Sequence, residues 1–165
     1  MFVKTDTKTQ GTWKGVYGAD GYNVINDPSS DNPDYPAYAV LTPSGNTAYT
    51  WGTSTTLAYC LQEAASGSTT RIGAAWYSTT SETLNLDLTD GNTHQVSLYL
   101  LDWLSAGRAE NIVITDASSG KTLDSRNASN FGSGVYYVYD ITGHVNITLT
   151  KTAGNNCVVS AIFFR

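Results

Sequence analysis

The strongest constraint on how this chain can fold is a period of two in its apolar residues. In ETLNLDL, Leu84, Leu86 and Leu88 fall on one side of an extended chain, with Asn85 and Asp87 on the other. Asp90-Gly91 follows and marks a hairpin turn. In HQVSLYLLDW, Val96, Leu98 and Leu100 share one face while Tyr99, Leu101 and Trp103 share the other. Two apolar faces place that strand in the middle of a sheet. ENIVITD turns Ile112 and Ile114 inward, and KTLDSR follows the turn at Ser119-Gly120. GVYYVYDI lines up Val135, Tyr137, Tyr139 and Ile141, HVNITLT alternates through Val145, Ile147 and Leu149, and CVVSAIFF is the last strand. Seven candidate strands thus follow residue 68 at short, even spacing. Earlier strands are expected near 13–25, 38–42 and 47–52.

No window carries a clear 3.6-residue period. The nearest, Leu57 to Ala65, reads as a short helix or a turn that stops at Ser66-Gly67-Ser68. Residues 26–36, NDPSSDNPDYP, hold three of the four prolines and read as a long surface loop. The pattern predicts an all-β protein: a two-sheet antiparallel β-sandwich of jelly-roll type, one domain over residues 1–165. A chain of 165 residues is long enough to bury a core without metals or dense disulfides.

Composition narrows the function. Net charge is −5, so the basic footprint that a nucleic-acid binder or an anionic-membrane binder needs is missing. No apolar run approaches the roughly 20 residues that span a bilayer. The opening MFVKTDTKTQ has no apolar signal region, and the lone methionine, Met1, suits an excised module or a mature form given a start codon. Cys60 and Cys157 form no CxxC pair, which argues against zinc. They are either one long-range disulfide or two buried thiols.

The catalytic inventory is thin. There are three glutamates, and Glu82 is expected at an exposed strand edge. Asp102 and Glu110 flank the loop DWLSAGRAE, where Arg108 between them favours a structural ion pair over a catalytic couple. His94 and His144 fall at polar positions of alternating strands and read as solvated. No nucleophile elbow, phosphate loop or dinucleotide fingerprint is present. Asp27, Asp31 and Asp34 share one loop, so a structural calcium is possible there, although the spacing is not that of an EF-hand.

The aromatics say more. Four Trp and eleven Tyr stand against four Phe. Tyr and Trp join a flat apolar face to a hydrogen-bonding edge, which suits a sugar ring with its patch of C–H groups and its rim of hydroxyls. The candidate binding residues are Tyr35 and Tyr38 beside the proline-rich loop, Tyr49 and Trp51 in NTAYTWGT, Trp76 with Arg71 on TRIGAAWYS, where Tyr77 is a further aromatic of the set, and Trp103 with Asp102 and Arg108. Each aromatic alone has a competing role as packing beneath a loop. Trp13, Tyr17 and Tyr22 read as an N-terminal strand pair packing onto the sandwich.

Four stretches, TDTKTQGTWKGVYGADGY, RIGAAWYS, LTDGNTHQVSLYLLDW and GHVNITLTKTAGNNCVVSAIFF, resemble a β-sandwich module of large extracellular bacterial proteins, often found beside polysaccharide-degrading domains. The resemblance implies a galactose-binding-like jelly roll with a non-catalytic, carbohydrate-binding role. It implies an extracellular or cell-surface location, a polysaccharide or oligosaccharide partner, and a catalytic domain elsewhere in the parent chain. Where such modules carry calcium, acidic residues near both termini help hold it, and VVSAIFFR offers none. Two other functions compete: a small jelly-roll lyase or glycosidase using Asp102 and Glu110, and a structural or adhesive spacer with every Trp buried.

Overall fold

The alternating runs all form strands. The computed structural model describes residues 1–165. In chain order the strands are β1 (Phe2–Asp6), β2 (Gly21–Val24), β3 (Ala39–Ser44), β4 (Thr47–Thr55), β5 (Leu61–Gln62), β6 (Arg71–Ser78) and β7 (Ser81–Leu88). They continue with β8 (Thr93–Leu100), β9 (Ala109–Asp116), β10 (Thr122–Ser129), β11 (Val135–Thr142), β12 (His144–Ala153), β13 (Cys157–Val159) and β14 (Ala161–Phe164). One sheet has the order β1-β11-β8-β14-β2 and a second β10-β9-β12-β7-β3. A third, smaller sheet runs β13-β6-β4, with β5 pairing to β6. Every pairing is antiparallel.

From β7 to β12 the chain passes repeatedly between the first two sheets, as in a jelly roll. Their facing sides close one core. Leu84, Leu86 and Leu88 of β7 and Val145, Ile147 and Leu149 of β12 meet Val96, Leu98 and Leu100 of β8 and Tyr139 and Ile141 of β11. As the sequence required, β8 is central and buried on both faces. Its other face joins a second core, in which Tyr99, Tyr136, Val138 and Phe163 pack against Trp13, Tyr17 and Leu61. The third sheet serves both cores: Ala75, Cys157 and Val158 enter the first, Ile72 and Ala74 the second.

The structure departs from the sequence reading in three places and decides between two pairs of alternatives. The strand near 13–25 is only Gly21–Val24; Trp13–Tyr17 is a turn closed by bonds from the Val16 and Tyr17 amides to the Trp13 carbonyl, and it covers the first sheet. β1, which has little apolar alternation, was not foreseen. Of the two readings of Leu57–Ala65 the turn holds: the run forms turns and the short β5. CVVSAIFF is two strands in two sheets, broken at Ser160, whose amide bonds the Tyr99 carbonyl and whose carbonyl accepts from Ile25. Cys60 and Cys157 are free thiols in different cores, so they form no disulfide.

Candidate functional site

The third sheet presents a row of aromatic rings. On β4, Tyr49 is exposed and Trp51, two residues on, is half-buried against the first core, and Tyr77 stands on the neighbouring β6. The register slips between Thr50 and Gly52, a bulge that sets the angle of Trp51. Tyr77 meets Tyr49 edge to face at 6.4 Å, and Tyr49 meets Trp51 at 6.2 Å. Trp51 and Trp103 lie parallel within 7°, centroids 5.8 Å apart, and Tyr59 closes the row edge-on to Trp103 at 6.2 Å. Tyr49 is 53% exposed; the others are half-buried.

Trp103 enters this row from the loop after β8. That loop begins with a single 3-10 turn, Trp103–Ser105, in which Leu104 and Ser105 hold left-handed φ of 59° and 51°. Such angles are unusual for a bulky residue and mark an over-determined backbone. Asp102 supplies the determination. Its carboxylate accepts from the Ala106, Gly107 and Arg108 amides at 3.0, 3.0 and 3.2 Å and from Arg108 Nη1 at 2.7 Å. The sequence's expectation of an Asp102–Arg108 ion pair holds, and both partners are buried. Asp102 has little capacity left for a ligand and acts through Arg108. The Arg108 guanidinium lies 5.4 Å from the Trp51 ring centroid, and its Nε donates to Asn156 Oδ1 at 2.6 Å.

The structure therefore brings Tyr49, Trp51, Tyr77, Asp102, Trp103 and Arg108 together and adds Tyr59 and Asn156. It separates the remaining candidates. Tyr35 packs edge-on against Phe164 and its hydroxyl accepts from Asn23. Tyr38 stacks on His94 at 3.6 Å and donates to Asp20. Arg71 donates to the Cys60 carbonyl and Thr12, anchoring the loop that carries Tyr59. Trp76, like Trp51 and Tyr77, is partly buried against the first core, but it makes no ring contact with the row. Asp27 accepts from the Ser29 and Ala64 amides, and Asp31 and Asp34 are exposed; no three acidic, His or Cys side chains converge as metal ligands.

Most tyrosines outside the row spend their hydroxyls within the protein; the exceptions are Tyr22 and Tyr139, the latter with a buried hydroxyl that has no partner. Tyr17, Tyr35, Tyr38, Tyr99 and Tyr136 all hydrogen-bond within the protein. Tyr49, Tyr59 and Tyr77 do not, and Asn156 keeps its amide nitrogen free beside a groove of about 200 Å³ lined with Tyr49, Trp51 and Tyr77. The row thus offers flat apolar faces rimmed by unspent polar groups.

Glu82 was expected at an exposed edge. It is 1% exposed, because its place in the β7 alternation turns it into the first core; Glu110 lies equally deep. Glu110 Oε2 accepts from the Val158 amide at 2.8 Å, while neither oxygen of Glu82 meets a donor. Burial pushes the Glu82 carboxyl up to about 8; burial, with Glu82 nearby, raises Glu110 well above its ordinary range. This pair has no solvent access through which to meet a substrate.

No protein-family model and no curated protein matches the chain. Solved structures of similar shape include a carbohydrate binding module of Cellvibrio mixtus lichenase 5A in complex with cellotriose: 10% identity, 75% of this chain and 88% of that one, TM-score 0.42. A family 35 carbohydrate binding module from Clostridium thermocellum shares 12% identity over 76% of this chain and 90% of its own, TM-score 0.41. An exo-beta-1,3-galactanase from Phanerochaete chrysosporium, with galactose, shares 14% over 79% of this chain but only 30% of its own length, TM-score 0.41.

Proposed function

We propose that the chain is a non-catalytic carbohydrate-binding module that holds a sugar against Tyr49, Trp51 and Tyr77. The observation that carries this is the continuous aromatic row with its free Tyr hydroxyls and Asn156 amide. A pyranose ring would lay its C–H face on a ring face, leaving its hydroxyls to the unspent donors and acceptors. The ligand is an uncharged glycan, since Arg108, the one cation at the row, is matched by Asp102. The sealed Glu82–Glu110 pair gives an enzymatic function no support. A spacer function expects every Trp buried, whereas only Trp13 is. In this reading the module works outside the cell, bound in a bacterial parent chain to a polysaccharide-degrading domain. No helix of the chain is long and apolar enough to cross a membrane.

Isothermal titration against soluble glucans, xylans, mannans and galactans tests the proposal. Binding of about micromolar strength or weaker is expected, because a shallow wet site gains little per contact. Tyr49→Ala should remove it while leaving stability within about 0.5 kcal/mol, as the ring is mostly exposed. No heat with any of these glycans, and no retention on cellulose or chitin, overturns the proposal.

A further inference from the structure

Beside the aromatic row, across Arg108, opens a second groove of about 330 Å³. Its walls carry Ser105, Ser129, Asn130 and Ser133, with Asp102 and Arg108 at its base. The two walls are held close. The Asp102 amide bonds the Phe131 carbonyl at 3.1 Å, and a β-carbon on Gly132 would run into Ser105 Oγ.

Two independent features mark this groove. The first is its unspent polar side chains. On the strand faces of the second sheet, by contrast, facing polar side chains satisfy one another: Asn85 bonds Asn146, Thr83 bonds Thr148, and Asn111 bonds Asn127. The side chains of Ser105, Ser129, Asn130 and Ser133 form no hydrogen bond within the protein. The second is backbone strain. Of five non-glycine residues with positive φ, three stand here: Leu104, Ser105 and Asn130. Such residues persist where the surrounding structure holds them, often at ligand sites. Leu104, at the tip, is 75% exposed beside the groove.

We infer that this groove is the polar extension of the aromatic site and that the two together take an internal stretch of a neutral glycan chain, not a terminal sugar. The inference rests on the carbohydrate-binding function proposed above. One sugar unit stacks at Tyr49 and Trp51; the chain then crosses Arg108, and following units hydrogen-bond Asn130 and Ser133. The groove's only charges, Asp102 and Arg108, neutralise each other, so it suits hydroxyls and not carboxylates or phosphates. Arg108 reaches the aromatic end through Asn156 and the Trp51 face, which makes the path continuous.

The test is titration with β-1,4-linked gluco-, xylo-, manno- and galacto-oligosaccharides of two and of six units. In whichever series binds, the longer probe is expected to bind roughly tenfold more tightly, the gain of one or two added hydrogen bonds. The double variant Asn130→Gly, Ser133→Ala keeps the left-handed backbone available at position 130. It should bring the six-unit affinity down to that of the two-unit probe and leave two-unit binding unchanged. Tyr49→Ala should abolish both. Equal affinity for the two lengths in the native protein, or a length gain that survives in the double variant, overturns the extension while leaving the aromatic site standing. If no oligosaccharide of either length binds, the extension is overturned, and the polysaccharide panel above decides separately whether the aromatic site stands.

Discussion

The indole of Trp103 rests on the bare backbone of Gly73: a β-carbon at position 73 would stand 2.9 Å from Cε3 and closer still to Cζ3. Gly73 has an ordinary φ, so glycine is required here by close approach and not by backbone conformation. Trp103 is also the parallel partner of Trp51, so the height of the indole over β6 sets the end of the aromatic row. Gly73→Ala should push the indole outward, cost about 1–3 kcal/mol in overpacking, and weaken glycan binding. Denaturant melting, intrinsic Trp emission and titration read these effects together. A variant with native emission, stability and affinity would show that the indole does not need this floor.

The Asp102–Arg108 pair separates a structural role from a chemical one. Asp102→Ala strips four donors of their acceptor and leaves a buried guanidinium without its carboxylate. A loss of about 3–5 kcal/mol in stability is expected, together with weaker binding as the loop carrying Trp103 loosens. Asp102→Asn keeps the shape and should cost less than Asp102→Ala. Were Asp102 a general acid or base, Asp102→Asn would hold stability and glycan affinity and abolish sugar release. Urea melts and reducing-sugar release, measured on both variants, decide the matter.

Much of this architecture was legible because a half-buried strand writes its faces into alternate residues. Leu84, Leu86 and Leu88, or Val145, Ile147 and Leu149, have one side to hide, and the sequence shows which. β1 was hidden because its residues are mostly exposed and it pairs only at an edge. Trp13–Tyr17 looked like strand because aromatic residues are strand formers, yet it covers a sheet without joining one. The break at Ser160 leaves no mark, since both halves of CVVSAIFF are buried and apolar. At the site, Tyr49, Trp51, Asp102, Trp103 and Arg108 were found by residue type near turns. Tyr59 and Asn156 were missed because their membership depends on which segments the fold brings together. The RIGAAWYS run did hold a signal for the site, Gly73, whose bare backbone leaves room for a ring lying on the sheet. Glu82 was misplaced because polarity was allowed to outweigh its position in an otherwise clean alternation.

The thiols should be silent in the folded protein. Burial raises Cys60 to about 11 and Cys157 to about 12, so neither supplies thiolate near neutral pH, and neither is reachable. Ellman's reagent should report no thiol on the native protein and two in denaturant without reductant. Rapid native labelling would mean that a core opens. Two thiols missing in denaturant would mean the disulfide forms after all.

The buried carboxyls set the sign of the pH dependence. Glu82 sits at about 8 in the fold against an ordinary value of 4.5, and Glu110 is displaced the same way. Both raised groups hold a proton in the native state that the unfolded chain releases above about 4.5. Their contribution to stability is therefore full below that pH and declines above it, for Glu82 by about 1.4 kcal/mol per pH unit until pH nears 8. Asp90 and Asp116 shift the opposite way: hydrogen bonds from Asn92 and from Ser118 and Ser119 hold them below the ordinary range. Their contributions change only at pH values more acidic than this window. Urea unfolding at pH 5, 6.5 and 8 should thus show falling stability, a decline that aspartates alone would not produce. Glu82→Gln removes one titration while keeping the side chain's shape. It should make the slope shallower, and Glu82→Gln with Glu110→Gln should flatten it. A native protein whose stability is level or rising between pH 5 and 8 would place at least one of these carboxylates in water, and with it an opening in the first core.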